Sequence, residues 1–145
     1  MLKEKPDGNF ILGVFLIDIF CLDLKNTFFK PTISFNEFED IIYKDPDHTH
    51  SKIDIDHAHS IIYGGIDYVE NLGFKSHSDF KVTWFVLSPR KEIEFDDTLV
   101  FGKDGKPFYF AGPYDSQEKI NRIFKQLERS VGEDNFTFVI PGEEL

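Results

Sequence analysis

The chain is poor in cysteine: Cys21 is the only one in 145 residues. One cysteine closes no internal disulfide, and its place inside an apolar run predicts a buried, reduced thiol in a cytoplasmic protein. Long apolar runs are scarce too. "FILGVFLIDIFCL" (10–22) is the one membrane or signal candidate, but it is too short to span a bilayer and Asp18 interrupts it. The opening "MLKEKPDGN" mixes charge signs with no small-x-small cleavage pattern behind it, so a soluble, unprocessed protein is expected. Basic charge is the third shortage: 16 Lys and Arg stand against 26 Asp and Glu, a net charge of −10. The carboxylates are dispersed rather than blocked, which predicts a solvated acidic surface. Such a surface repels phosphate backbones and favours protein partners, basic ones first. No nucleic acid and no membrane are therefore expected, and the oligomeric state stays open.

Aromatic carbon is plentiful. Seventeen phenylalanines can build a core without disulfide or metal, and the length suits one globular domain over 1–145. Phe10 to Ile17 is nearly continuous in apolar residues, as in a central strand covered on both faces. "KNTFFKP" then turns the chain. "SFNE" (34–37) is a capping box for a short helix through Ile42. Ala58, Ile62, Gly65, Val69 and Leu72 form one helical face, with Asp56 as N-cap and Gly73 as the C-terminal stop. The glycine pair 64–65 inside that helix predicts close approach to the sheet or to another helix.

"KVTWFVLS" (81–88) has apolar residues of both parities and reads as a second interior strand. In "TLVFGKDGKPFYF", Asp104–Gly105 predicts a two-residue hairpin pairing Phe101 with Phe108 and Leu99 with Phe110. Asp115 and Glu118 cap a last helix with the stripe Ile120, Ile123, Phe124, Leu127 and Val131, and "NFTFVI" (135–140) closes the chain as a strand. The expected fold is α+β: a single mixed, largely antiparallel sheet with helices packed on one face, in the order β-α-α-β-β-β-α-β.

"DPDHTHSKIDIDHAHS" (45–60) gathers four of the five histidines. His48, His50, His57 and His59 are the candidate ligands for a divalent metal such as Zn²⁺. Residues two apart share a face on a strand but diverge by about 200° on a helix. The pair at His57 and His59 therefore parts in the first turn of the second helix, while His48 and His50 sit in a loop. The spacing fails the metallo-β-lactamase pattern and the JAB-type metalloprotease pattern, and a metal-dependent amidohydrolase barrel needs a longer chain. A polar connection feeding a capped helix explains the same residues.

His77 and Asp79 in "KSHSDF" are a second acid–base candidate, or a loop-fixing pair. Asp18 is the third. If buried it needs a partner, which His59 can supply; at the end of its strand it meets water. "DLK" (23–25) lacks the companion carboxylates of a nuclease site, and the glycines of "FGKDGKPFYFAG" lack the phosphate-loop spacing.

"GVFLIDIFCLDLKNTFF", "HSIIYGGIDYVENLGFKSHSDF" and "FGKDGKPFYFAGPYD" resemble segments of an uncharacterised bacterial domain family of unknown function, over about residues 10–140. The resemblance implies a bacterial origin and a single unit, with no activity attached. It directs attention to His59 and His77 rather than to the whole cluster. Two functions follow as expectations. One is a small acidic cytoplasmic protein-binding module, immunity-like, antitoxin-like or an accessory subunit, with no cofactor. The other is a metal- or histidine-dependent hydrolase using the 48–59 stretch, or His59 with His77 and Asp79.

Overall fold

The computed structural model of the chain describes residues 1–21, 23–44, 46, 49–75 and 84–142. Among them the elements run β1 (Leu2–Glu4), β2 (Phe10–Asp18), β3 (Asp23–Ile33), α1 (Phe35–Tyr43), α2 (Ile55–Asn71), β4 (Phe108–Phe110), α3 (Gln117–Val131) and β5 (Thr137–Val139). The class is α+β, as expected. The strands do not form a single sheet: β1-β2-β3 is an antiparallel sheet, and β4-β5 is a separate parallel pair.

β2 is indeed the middle strand, though only Leu12 and Gly13 along it are buried. Its partner β3 covers the residues expected to turn the chain. Pro31 ordinarily argues against a strand. It sits at a register shift, between the pairs Phe10–Ile33 and Leu12–Lys30, where a missing N–H disturbs no ladder.

The helices follow their caps. The Ser34 hydroxyl accepts from the Glu37 amide and opens α1. α2 begins two residues earlier than expected, because Asp54 rather than Asp56 is the N-cap and accepts from the amides of Asp56 and His57. In α3 the cap is Ser116, which accepts from the Lys119 amide, and Asp115 is released for another task. Gly132 ends α3, its amide donating to the Glu128 carbonyl.

Two expected strand features change character. Of the strand expected at 81–88, residues 81–83 lie outside the described residues and Trp84–Val86 is a 3-10 turn. Apolar side chains of both parities suit a turn as well as a strand, and here the Lys3 ammonium at the Phe85 carbonyl and α2 side chains at Ser88 meet the backbone in place of a ladder. The Asp104–Gly105 turn does form, with φ of 54° and 78°, and Lys103 and Lys106 exchange backbone hydrogen bonds across it. Its arms then part. Gly102, at φ 84°, turns its amide to the Ile19 carbonyl, and the Phe108 amide goes to the Phe20 carbonyl. A side chain at Gly102 would strike the Tyr68 hydroxyl and the Lys106 carbonyl, at 2.6 and 2.7 Å. Phe108–Phe110 therefore pairs with Thr137–Val139 instead of with residues 99–101.

The core lies on both flanks of α2. Ile62 and Ile66 pack with Leu87, Phe15 and Ile17. Leu72 joins Cys21, Tyr109, Ala111, Ile120, Ile123 and Leu127. The close approach predicted for the glycine pair is met at Gly64, but by the Phe101 ring rather than by a sheet or helix. A Cβ there would come within 2.7 Å of that ring.

Candidate partner-binding surface

α2 brings its polar residues inward. His59 is 2% exposed, and both ring nitrogens are occupied: the Ser88 amide donates to Nε2 at 2.9 Å, so Nδ1 carries the proton and donates to the Ile55 carbonyl at 2.7 Å. The ring also stacks on Tyr63, whose hydroxyl donates to the Ser88 carbonyl. One turn of backbone is thus held from both sides of Ser88. The Ser60 hydroxyl donates to the Asp56 carbonyl and accepts from the Asp96 amide. Arg90 makes two 2.8 Å hydrogen bonds to Asp67 and lies over the Tyr63 ring, 4.4 Å from its centre. α2 is a clamp on residues 88–96, and its histidine is one of the jaws.

The other predicted site residues do not join it. His57 points elsewhere, its Nδ1 3.3 Å from Asp96, so the pair diverges as the helical spacing requires. The Asp96 carboxylate sits below its ordinary range, chiefly through the Thr98 hydroxyl and amide, with His57 adding to the effect. His50 is exposed in the connection before α2. His48, His77 and Asp79 lie outside the described residues. Among the described residues no three His, Cys, Asp or Glu side chains come together in a metal-holding group. Asp18 ends β2 and accepts from the Phe20 amide at 2.9 Å, shaping the turn that follows. The suggested Asp18–His59 pairing is replaced: His59 spends its nitrogens on Ile55 and Ser88 because the first turn of α2 faces that backbone.

A surface that sequence reasoning passed over lies on α3. Asp115 leaves the cap position and collects the Tyr109 hydroxyl at 2.7 Å, the Gly112 amide at 2.9 Å and the Lys119 ammonium. Burial works against its ionised form, but the hydrogen bonds from Lys119, Tyr109 and Gly112 prevail and hold it at about 2. The Tyr109 phenol is pushed well above its usual value by burial first and by Asp115 second. This node pins the start of α3 to β4. At the other end, Gln126 and Ser130 both donate to the Leu72 carbonyl at the end of α2.

Between these fixed points runs a cleft of about 1560 Å³. Among the described residues its walls carry five cations, Lys75, Lys119, Arg122, Lys125 and Arg129, against the two carboxylates of Asp115 and Glu118. Four of the five come from one sector of α3, because positions three, four and seven apart share a helix face. Their spacing is readable in "EKINRIFKQLER", within a chain whose net charge is acidic. At the cleft's edge stands Phe110, 52% exposed. The same ring belongs to a second, apolar concavity with Leu16, Ile17, Ile19, Phe20 and Phe108, which Asp18 borders. A basic cleft and an apolar shelf therefore meet at one aromatic side chain.

Comparison with protein-family models, with curated proteins and with solved structures finds no match to this chain. Among the described residues no helix is long and apolar enough to cross a membrane.

Proposed function

We propose that the chain is a small acidic, cytoplasmic protein-binding module, of the immunity, antitoxin or accessory-subunit kind, that seats its partner where cleft and shelf meet at Phe110. The observation that supports this is charge segregation: five of the chain's 16 cations line one cleft in a protein of net charge −10. Such a cleft steers an acidic patch of a partner, and the adjoining apolar shelf supplies the area that holds it. This revises the partner chemistry expected from net charge. The body of the molecule is acidic, but its cleft selects acidic chemistry.

The hydrolase alternative gains no support from His59. A general base needs a ring nitrogen free to take a proton, and here one accepts a backbone amide while the other donates to a carbonyl.

The test is purification from the native host at low salt, followed by Phe110→Asp. A stoichiometric protein partner should accompany the wild type, dissociate as salt screens the cleft, and be lost from a variant whose thermal midpoint is unchanged. A partner retained by Phe110→Asp, or no outside partner at any salt for a chain that is itself monomeric, overturns the reading.

A further inference from the structure

We infer that the cleft takes an acidic amphipathic helix, and that α1 of a second copy of this chain is such a helix; the inference rests on the reading of this surface as protein-binding. α1 carries three carboxylates, Glu37, Glu39 and Asp40, and no Lys or Arg. It is also lightly packed. None of its nine residues is buried, and Phe35, Ile41 and Tyr43 are all substantially exposed, Tyr43 at 76%. A surface helix ordinarily buries its apolar stripe against the core. Here Phe35 touches Phe38 and Phe10; Phe38, Glu39 and Ile42 are half-buried, and Glu37, Asp40, Ile41 and Tyr43 face outward. At about 100° per residue, Glu37 and Asp40 fall on one side of α1, flanked by Ile41 and Tyr43. That side complements the cleft in both respects, acid for the α3 cations and apolar flanks for Phe110.

The exchange of partners is cheap. The cation now beside Asp40 is Lys44, at 3.2 Å and largely exposed, a pair of the kind that contributes little to stability. Asp115 already neutralises Lys119, leaving Arg122, Lys125 and Arg129 to receive the incoming carboxylates. Two copies that each insert α1 into the other's cleft close as a two-fold dimer with both seats filled.

Sedimentation velocity on the full chain, across concentration and salt, tests this. A species heavier than the 16.9 kDa monomer should form at low salt and dissociate as salt rises. Arg122→Glu/Arg129→Glu and Glu37→Lys/Asp40→Lys should each be monomeric, because in both the cleft and α1 then carry like charge. Mixed together they should form a one-to-one complex, since each variant's cleft now opposes the other's α1. Should either variant lose its fold by circular dichroism, carbodiimide coupling of mixed isotope-labelled and unlabelled wild-type chains gives the same answer. Crosslinks from Glu37 or Asp40 to Lys119 or Lys125 between differently labelled chains support the inference.

A wild type that stays monomeric at low salt overturns it, as does an oligomer that survives both charge reversals or intermolecular crosslinks confined to other residues. A monomer that instead retains an outside protein through Phe110 overturns the self-recognition alone and leaves the protein-binding reading standing. Retardation of a monomer by a short DNA oligonucleotide, abolished in Arg122→Glu/Arg129→Glu, assigns the cleft to nucleic acid and overturns both.

Discussion

α2 and α3 are both amphipathic, yet they spend their polar side chains in opposite ways. α2 turns His59, Ser60 and the Tyr63 hydroxyl onto backbone groups of its own chain, at Ser88 and Asp96, and Asp67 onto Arg90. α3 buries Ile120, Ile123 and Leu127, spends only Gln126 and Ser130 on distant backbone, at Leu72, and points Arg122, Lys125 and Arg129 into an open cleft. The lesson concerns where function is sought. Histidine density suggested a reactive site on α2, but buried polar groups there are consumed by hydrogen bonds that folding must satisfy. The charges left over, on α3, are the ones available to another molecule.

The comparison is broken most strongly at His59. His59→Ala strands the Ser88 amide and leaves a cavity, and should cost about 3 kcal/mol in urea unfolding. A loss below about 1 kcal/mol would mean that the clamp on residues 88–96 is not what stabilises them. On the α3 side, Tyr109→Phe removes one hydrogen bond to Asp115 and should cost about 1 kcal/mol by the same measurement.

The pH dependence of that node has a definite sign. The Asp115 carboxyl is held at about 2 in the folded chain, below its ordinary 3.8. Its contribution is therefore fully present above about pH 4 and is lost as pH falls toward 2. Asp115→Asn should lower the thermal midpoint at pH 7 and flatten its fall between pH 4 and 2; an unchanged acid limb would show that the node does not hold α3. Smaller still, Asp67→Asn breaks a half-exposed pair with Arg90 and should cost well under 1 kcal/mol. Arg122→Glu, on the exposed face of α3, should shift stability by less than about 0.5 kcal/mol while abolishing partner binding. A large stability loss there would erase the contrast between the two helices.

Local chemistry was legible without the fold. The Ser34 cap, the α2 and α3 stripes, the stops at Gly73 and Gly132 and the Asp104–Gly105 turn all depend on neighbours within a few residues. The caps of α2 and α3 were misassigned by small steps, because Asp54 and Asp56, or Asp115 and Ser116, are chemically interchangeable as caps until something else claims one of them. Tyr109 claims Asp115 across the start of α3, and that choice is tertiary. β3 was hidden by Pro31, whose tolerance depends on a register shift in a strand some twenty residues away. Likewise nothing near Phe108–Phe110 announces that its ladder partner is Thr137–Val139 rather than the near arm of its own turn.

The candidate surface divides in the same way. The cation spacing of α3 was written in "EKINRIFKQLER", and the acid and apolar residues of α1 in "SFNEFEDIIY". By itself the sequence determined the class, the helices, their apolar faces and the acidic balance of the whole. Only the tertiary structure decided that His59 is spent on Ser88, that Asp115 locks β4 to α3, and that Phe110 joins a basic cleft to an apolar shelf. Periodicity and capping act through covalent neighbours, whereas a hydrogen-bond partner or a local excess of charge exists only once distant segments are brought side by side.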